Sequence, residues 1–503
     1  MLRQNLRDME RARERYWRSY PQTSPVKLRW RALAVRHAFH VLPGESILEI
    51  GAGSGIWTRE LQRVFRNENE ITAAIFNEDL AESSQWGSIP GVHKRWTESL
   101  DDLPLETFDY VIGTAILCHN RYPEMLKAIY RLVKPGGQIL FFENNLLNPQ
   151  VFAKTAIPAV SRWTGNARCQ VGISKYQFLR IASQQGFVNV EVIPYDLIHP
   201  SLPKSLIPVV QSVAFMVEHA PILRNLCGTL YLWGRKPGGS NIRPSTSLAT
   251  HAMFHRAVSF VIPCHNEELN VGPLIAALCK HFEDYIHEIL IVNDNSTDRT
   301  AEVTRGLAAG NPRVRLINRL PPNGVGRALR DGYQAATGAY ILTMDSDFVQ
   351  IVPEIRDLFE AVAEGYDGAI GSRFTYDSIM INYSFPKIVS NRLFHLLARF
   401  ALRSNFHDIS NNLKLYRADI LKNIAIRQDH FAANAETGLK PIAAGYRVKE
   451  VPVSWINRTL EMGTSSFRIL QVGPGYARAL WDVIRSSRQL KDQADRKVMR
   501  AAG

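Results

Sequence analysis

Asp345 and Asp347 stand one residue apart in "YILTMDSDF", directly after residues 341–344, which suit a buried strand. Two like charges at such a strand end repel unless something positive lies between them. A divalent metal bridging phosphate oxygens supplies that charge; the plainer alternative is an acidic turn that caps the next helix. Two further strand ends carry acids. "AVSFVIPCHNEE", 257–268, ends in Glu267, and "EILIVNDNSTDRT", 288–300, reaches Asp294. Carboxylates at the C-terminal ends of parallel strands collect at one ligand crevice.

A second constellation lies earlier. "ESILEIGAGSGIWTREL", 45–61, has the order strand, glycine turn, helix, with Gly51, Gly53 and Gly55 in the turn. Helix amides and close backbone approach suit a nucleoside-bearing ligand, and a purely structural tight turn is the alternative. "ITAAIFNEDL" ends in Asn77, Glu78 and Asp79, where a carboxylate can bind ribose hydroxyls. Cys118 and His119 follow a later strand. His119 is a candidate to deprotonate a hydroxyl; a packed or surface histidine is the other reading.

These residues need elements to hold them. Strand-like apolar runs alternate with helical patterns in both halves, which predicts an α/β chain with two mostly parallel sheets flanked by helices. "RKPGGSNIRPSTSLATHAMFHR", 235–256, has no apolar period and reads as linker. The expected organisation is a basic N-terminal helix or arm over 1–25, a first domain over 26–238, a linker over 239–256, a second domain over 257–478 and a basic tail over 479–503.

Charge and cysteine usage bound the setting. The net charge is +13, and residues 1–36 hold ten Lys/Arg against three Asp/Glu, residues 477–503 seven against three. Basic ends with a near-neutral middle suggest a tether to an anionic surface, and a nucleic-acid enzyme more often spreads such charge through its folded body. Arg3, Arg7, Arg11, Arg15 and Arg18 recur at helical steps beside Leu2, Leu6 and Met9, so a helix is expected there, either lying on a membrane surface or packed with a solvated face on the first domain. Five cysteines without a CxxC pair point to a reducing compartment. No secretory signal and no stretch of roughly 20 apolar residues is seen, so a cytoplasmic protein is expected, peripheral on the cytoplasmic face of a membrane.

The first half resembles the class I S-adenosylmethionine-dependent methyltransferases over roughly residues 40–236. "LEIGAGSG", "FDYVIG" and "LVKPGGQIL" occur in that family's order. The resemblance implies a Rossmann-like domain in which Glu49, Gly51, Gly53 and Gly55 surround the methionine end of S-adenosyl-L-methionine. It gives the ribose to Glu78, with Asn77 as the alternative alignment. "WTES" replaces the acidic turn common before the fourth strand.

The second half resembles the family-2 nucleotide-sugar glycosyltransferases of the dolichol-phosphate-mannose-synthase-like group over roughly 257–470. "VIPCHNE", "VNDNSTD", "MDSD", "GSR" at 371–373 and "DISNNLKLYR" at 408–417 carry the likeness. It implies a GT-A fold, with Pro263, Asn266, Glu267, Asp294 and Asp345 on a GDP- or UDP-sugar and Mg²⁺ or Mn²⁺ on Asp345 and Asp347. Val349 stands where close relatives have a glutamine, and Gln350 comes one later. Arg373 and Arg392 are implied on the acceptor phosphate, with Ser465 and Arg468 in a loop over the donor. A hydroxyl acceptor needs a base, for which Asp408 and Glu436 are the candidates.

The expectation is a bifunctional enzyme: a methyltransferase fused to a metal-dependent inverting glycosyltransferase. It uses a polyprenyl-phosphate or glycan acceptor in cell-surface polysaccharide assembly, and no nucleic acid is expected as partner. Two rivals stay open, a nucleic-acid-modifying enzyme and a glycosyltransferase with a non-catalytic cofactor-binding domain.

Overall fold

The computed structural model describes residues 2–117, 121–157, 172–238, 246–381, 383–402, 404–456 and 473–486. His119, Ser465 and Arg468 lie outside them. The chain forms two units, residues 1–244 and 245–503.

The first unit is built on a seven-stranded sheet. Its strands are β1 (Ser46–Ile50), β2 (Glu70–Ile75), β3 (Val92–Trp96), β4 (Phe108–Thr114), β5 (Val133–Asn144), β6 (Val188–Tyr195) and β7 (Thr229–Arg235). The order is β3-β2-β1-β4-β5-β7-β6, parallel except for β7, which runs antiparallel to both neighbours. The central strands are apolar on both faces because helices cover both, as parallel strands require; Ile47, Leu48, Val111, Ile112 and Leu140 are fully buried. The "KPGG" segment lies inside β5, whose pairing with β4 shifts register between Phe108 and Tyr110.

The N-terminal segment follows the packed reading and not the interfacial one. Helix α1 (Leu2–Ser19) packs into the first unit. Leu6 and Met9, the stripe expected at a lipid surface, are buried in its core. Its arginines are engaged by the same unit: Arg7 Nε donates to the Phe76 carbonyl at 3.1 Å, and Arg11 pairs with Asp79 at 2.5 Å. Helix α2 (Ser24–Phe39) likewise buries Lys27 and Arg31, with Lys27 paired to Asp196 at 2.9 Å. Of the basic residues counted over 1–36, Arg13, Lys27 and Arg31 are therefore internal.

The second unit holds strands β8 (Val258–Cys264), β9 (Ile286–Asn293), β10 (Val314–Asn318), β11 (Tyr340–Thr343), β12 (Gly368–Ser372), β14 (Lys414–Arg417) and β15 (Val448–Pro452). Strands β13 (Met380–Ile381) and β16 (Trp455–Ile456) form a small separate pair. The large sheet runs β10-β9-β8-β11-β14-β12-β15, with β14 antiparallel to β11 and β12. The second half of the expected linker is part of this unit. Leu248 and Phe254 are buried, Phe254 packs on Tyr285, Tyr340 and Phe359, and His251 meets Glu360 at 2.8 Å. Among the described residues, no helix is long and apolar enough to cross a membrane.

Candidate active site

Strand β8 has β9 on one side and β11 on the other, all parallel. The chain crosses to opposite edges from this strand, which opens a crevice at the C-terminal strand ends. A cavity of about 580 Å³ fills it. Glu267 follows β8, Asp294 follows β9, and Asp345 and Asp347 follow β11; all four line the cavity, with Pro263. Arg373, after β12, lines it too.

Asp345 accepts a hydrogen bond from Asn412 Nδ2 at 2.8 Å, and Asn412 is itself held by Thr343 Oγ1 at 3.1 Å. Burial, then the neighbouring Asp347 carboxylate, pushes the Asp345 carboxyl up to about 7. Like charges crowded in a half-buried wall are the condition that a hard cation relieves. The donors are all oxygen, the choice of Mg²⁺ or Mn²⁺. Among the described residues no three His, Cys, Asp or Glu side chains form a cage that could hold a metal. Gln350 is exposed and outside the cavity lining, so it does not replace the relatives' glutamine.

Asp294 is organised from two sides. Arg319 pairs with it, and the Gly324 amide donates to its other oxygen at 2.6 Å. Gly324 and Gly326 open the helix Val325–Ala335 beside the cavity. A Cβ at either position would run into the carbonyl of Asp429 or Gln428, so the turn "NGVG" requires glycine there. Asn266 is not in the cavity lining. It is exposed and ties two loops together, its amide donating to Ser296 Oγ and its Oδ1 accepting from the Thr297 amide.

Neither candidate base is placed for its role. Asp408 is fully buried and outside the lining. Arg373 donates to both its oxygens, Nε at 2.7 Å and Nη2 at 3.1 Å. Burial alone would raise the Asp408 carboxyl, but the Arg373 charge and its hydrogen bonds outweigh that and pull it down to about 2. Asp408 therefore fixes a guanidinium. Glu436 is buried in the helix Ala433–Ala443, where it accepts from the amides of Arg427 and Gln428 and pairs with Lys440. Arg392 also falls outside the lining, its guanidinium 5.6 Å from the centre of the Phe374 ring. Lys387 and Asn391, from the same helix Phe385–Leu402, line the cavity instead. Trp455, Tyr383 and Tyr476 add aromatic walls.

In the first unit, Gly51, Gly53 and Gly55 all have left-handed φ, between 62° and 79°, as the tight turn demands. Glu49, one residue before the end of β1, is buried, with Thr58 Oγ1 donating to it at 2.6 Å; burial raises its carboxyl to about 7. Asn77 turns its side chain onto the Leu80 amide, and Glu78 is exposed. The loop is covered by α1. Glu10 accepts from the Gly53 amide at 2.9 Å, from Phe76 at 3.0 Å and from Asn77 at 2.8 Å. Arg13 donates to the Gly51 carbonyl, and to that of Thr114 at 2.9 Å. Glu14 takes the Ser54 hydroxyl. The loop's Gly53 amide, Ser54 hydroxyl and Gly51 carbonyl, and the amides of Phe76 and Asn77, are thus held by side chains of α1.

A sheet of this order, with acids at its switch point, makes the second unit a GT-A-type fold. Residues 259–425 match the family described as Glycosyl transferase family 2, and residues 9–192 match a methyltransferase domain. The chain is 30% identical over 244 residues to the polyprenol monophosphomannose synthase of Mycolicibacterium smegmatis, covering 46% of this chain and 87% of that one. It is 27% identical over 205 residues to glycosyltransferase AglD of Haloferax volcanii, 39% of this chain and 33% of the relative. Glucosyl-3-phosphoglycerate synthase from Mycobacterium tuberculosis superposes with a TM-score of 0.37 at 17% identity, over 49% of this chain and 85% of that one. A SAM-dependent methyltransferase from Thermotoga maritima superposes at 0.31 and 15%, over 47% and 100%. The chain belongs to glycosyl transferase family 2, and that domain follows a methyltransferase domain.

Proposed function

We propose that the second unit moves a sugar from a nucleotide-sugar to a polyprenyl phosphate at a membrane face, in assembly of a cell-surface glycan. The observation that carries this is the single cavity in which Glu267, Asp294, Asp345 and Asp347 meet Arg373 and Lys387. Asp345 and Asp347 would hold a divalent cation, which supplies positive charge to the diphosphate as it leaves. Glu267 and Asp294 face the nucleoside end. Arg373, set by Asp408, and Lys387 grip the acceptor phosphate, for which a fixed guanidinium is well shaped. A phosphate oxygen attacks the anomeric carbon as the bond to the diphosphate breaks, which inverts the centre. No proton has to be removed, in keeping with the engagement of Asp408 and Glu436 elsewhere. The named activity of the mycobacterial relative supports the same acceptor class.

Mixing the full chain with GDP- or UDP-sugar, Mn²⁺ and a short polyprenyl phosphate should give a lipid-linked sugar. A glycan with free hydroxyls and no phosphate should give none. The reverse preference would refute the acceptor assignment.

The helix Phe385–Leu402 supports a membrane-side acceptor. It lends Lys387 and Asn391 to the cavity, and it exposes Val389, Leu393, Leu396, Leu397 and Phe400, the last at 88%. Those positions share one helical stripe. Leu397→Glu with Phe400→Glu should weaken co-sedimentation with vesicles about tenfold or more, because each residue forfeits roughly 1.5–3 kcal/mol of apolar burial. Undiminished vesicle binding would remove this face from the proposal.

A further inference from the structure

We propose that α1 is a displaceable plug of the methyltransferase cofactor cleft, held there by Glu10 on the backbone donors that the cofactor itself needs. The inference rests on the reading of the first unit as an S-adenosylmethionine-dependent methyltransferase and goes beyond it.

The inward side of α1 differs from ordinary helix packing. Glu10, Arg13 and Glu14 are buried at helical spacing, beside the apolar anchors Leu6, Met9 and Trp17. Buried charges persist only where they are paired and hydrogen-bonded. Here the partners are the glycine loop after β1 and the end of β2, which come together at the crevice of the sheet. One carboxylate takes amides from both strand ends, as a bound polar ligand would. Arg13 and Glu14 engage Gly51 and Ser54 on the same loop. A cofactor that binds the loop must therefore exchange hydrogen bonds with Glu10 one for one, so the two occupants exclude each other.

The outer side of α1 is held weakly. Arg11–Asp79 and Arg18–Gln85 are exposed contacts, a kind that contributes little to stability. Burial of Leu6, Met9 and Trp17 favours the docked state, and the cofactor favours the released one. Apparent affinity is then the intrinsic affinity scaled by the fraction of molecules whose helix is out.

Two measurements on the full chain test this. S-adenosylhomocysteine is titrated calorimetrically into wild type, Glu10→Ala and Glu10→Ala/Glu14→Ala. Each variant should bind about tenfold tighter or more, as the competent fraction rises. Hydrogen exchange of the wild type follows amides 5–17, which should lose protection when S-adenosylhomocysteine is added; this arm decides even where a variant fails to fold. Unchanged or weaker binding by folded variants, or greater protection of α1 with ligand, overturns the plug and makes Glu10 structural or a cofactor ligand. Absence of binding to every form, with nucleotide-sugar binding intact, overturns the methyltransferase reading itself, and the plug with it.

Discussion

Sugar transfer should fall about 100-fold or more in Asp347→Ala, the scale seen when one preorganised electrostatic partner of a transition state is removed. Asp347 and Asp345 close β11 at the crevice and share the cavity wall. The charge that leaves with the nucleoside diphosphate has to be balanced there. Asp347→Asn keeps the shape and removes the charge, so it should lose nearly as much as alanine. Transfer measured against Mn²⁺ concentration separates the causes: a metal role shifts the saturation curve, and a packing role lowers it evenly. Wild-type transfer in either variant would sink the metal assignment. S-adenosylhomocysteine titration is the control, and it should match the wild type because Asp347 belongs to the second unit.

The acids at the strand ends were legible in sequence because each follows a short apolar run, and parallel strands bring such ends together. What surrounds them was not. Asn412 reaches Asp345 only because β14 runs antiparallel to β11, with Thr343 opposite Lys414. No local pattern encodes that register. Asp408 and Glu436 looked like bases since a carboxylate in sequence carries no sign of its partner. Arg373 lies 35 residues from Asp408, and folding alone makes them a pair. Nothing in the sequence separates Lys387 from Arg392 on the same helix, where a few residues decide whether a side chain meets the cavity or an aromatic ring.

The first unit divides in the same way. The glycine turn and the central strands could be read from composition and order. Strand β3, "VHKRW", is an exposed edge strand with no apolar alternation to mark it. In α1 the arginine spacing was visible and suggested a lipid-facing helix. Its burial was not, because Glu10 and, beside its local pair with Arg18, Glu14 find partners 40 or more residues away, in the loop after β1 and at the end of β2.

Asp408→Ala should destabilise the second unit by about 3–5 kcal/mol, the usual cost of leaving one member of a buried ion pair alone. Arg373 would stay buried without its bidentate partner. The same pair sets an acid limit. The Asp408 carboxyl lies at about 2 in the folded chain, below its unfolded value near 3.9. Its contribution is fully present above about pH 4 and is lost as pH falls toward 2, roughly 2–3 kcal/mol in all. Glu288, Asp298 and Asp429 of the same unit are also held low and add to the acid loss in both forms, so calorimetric unfolding should show the second unit's transition dropping more steeply over that window in the wild type than in Asp408→Ala. Adding a nucleotide-sugar identifies that transition, because a ligand raises only the unit that binds it. The double variant Asp408→Leu/Arg373→Met completes the test. An apolar pair of similar volume restores most of the stability, yet transfer to a polyprenyl phosphate should stay lost with the guanidinium. If Asp408→Ala instead kept wild-type stability and lost transfer, Asp408 would act in the chemistry after all, and a hydroxyl acceptor would return as the better reading.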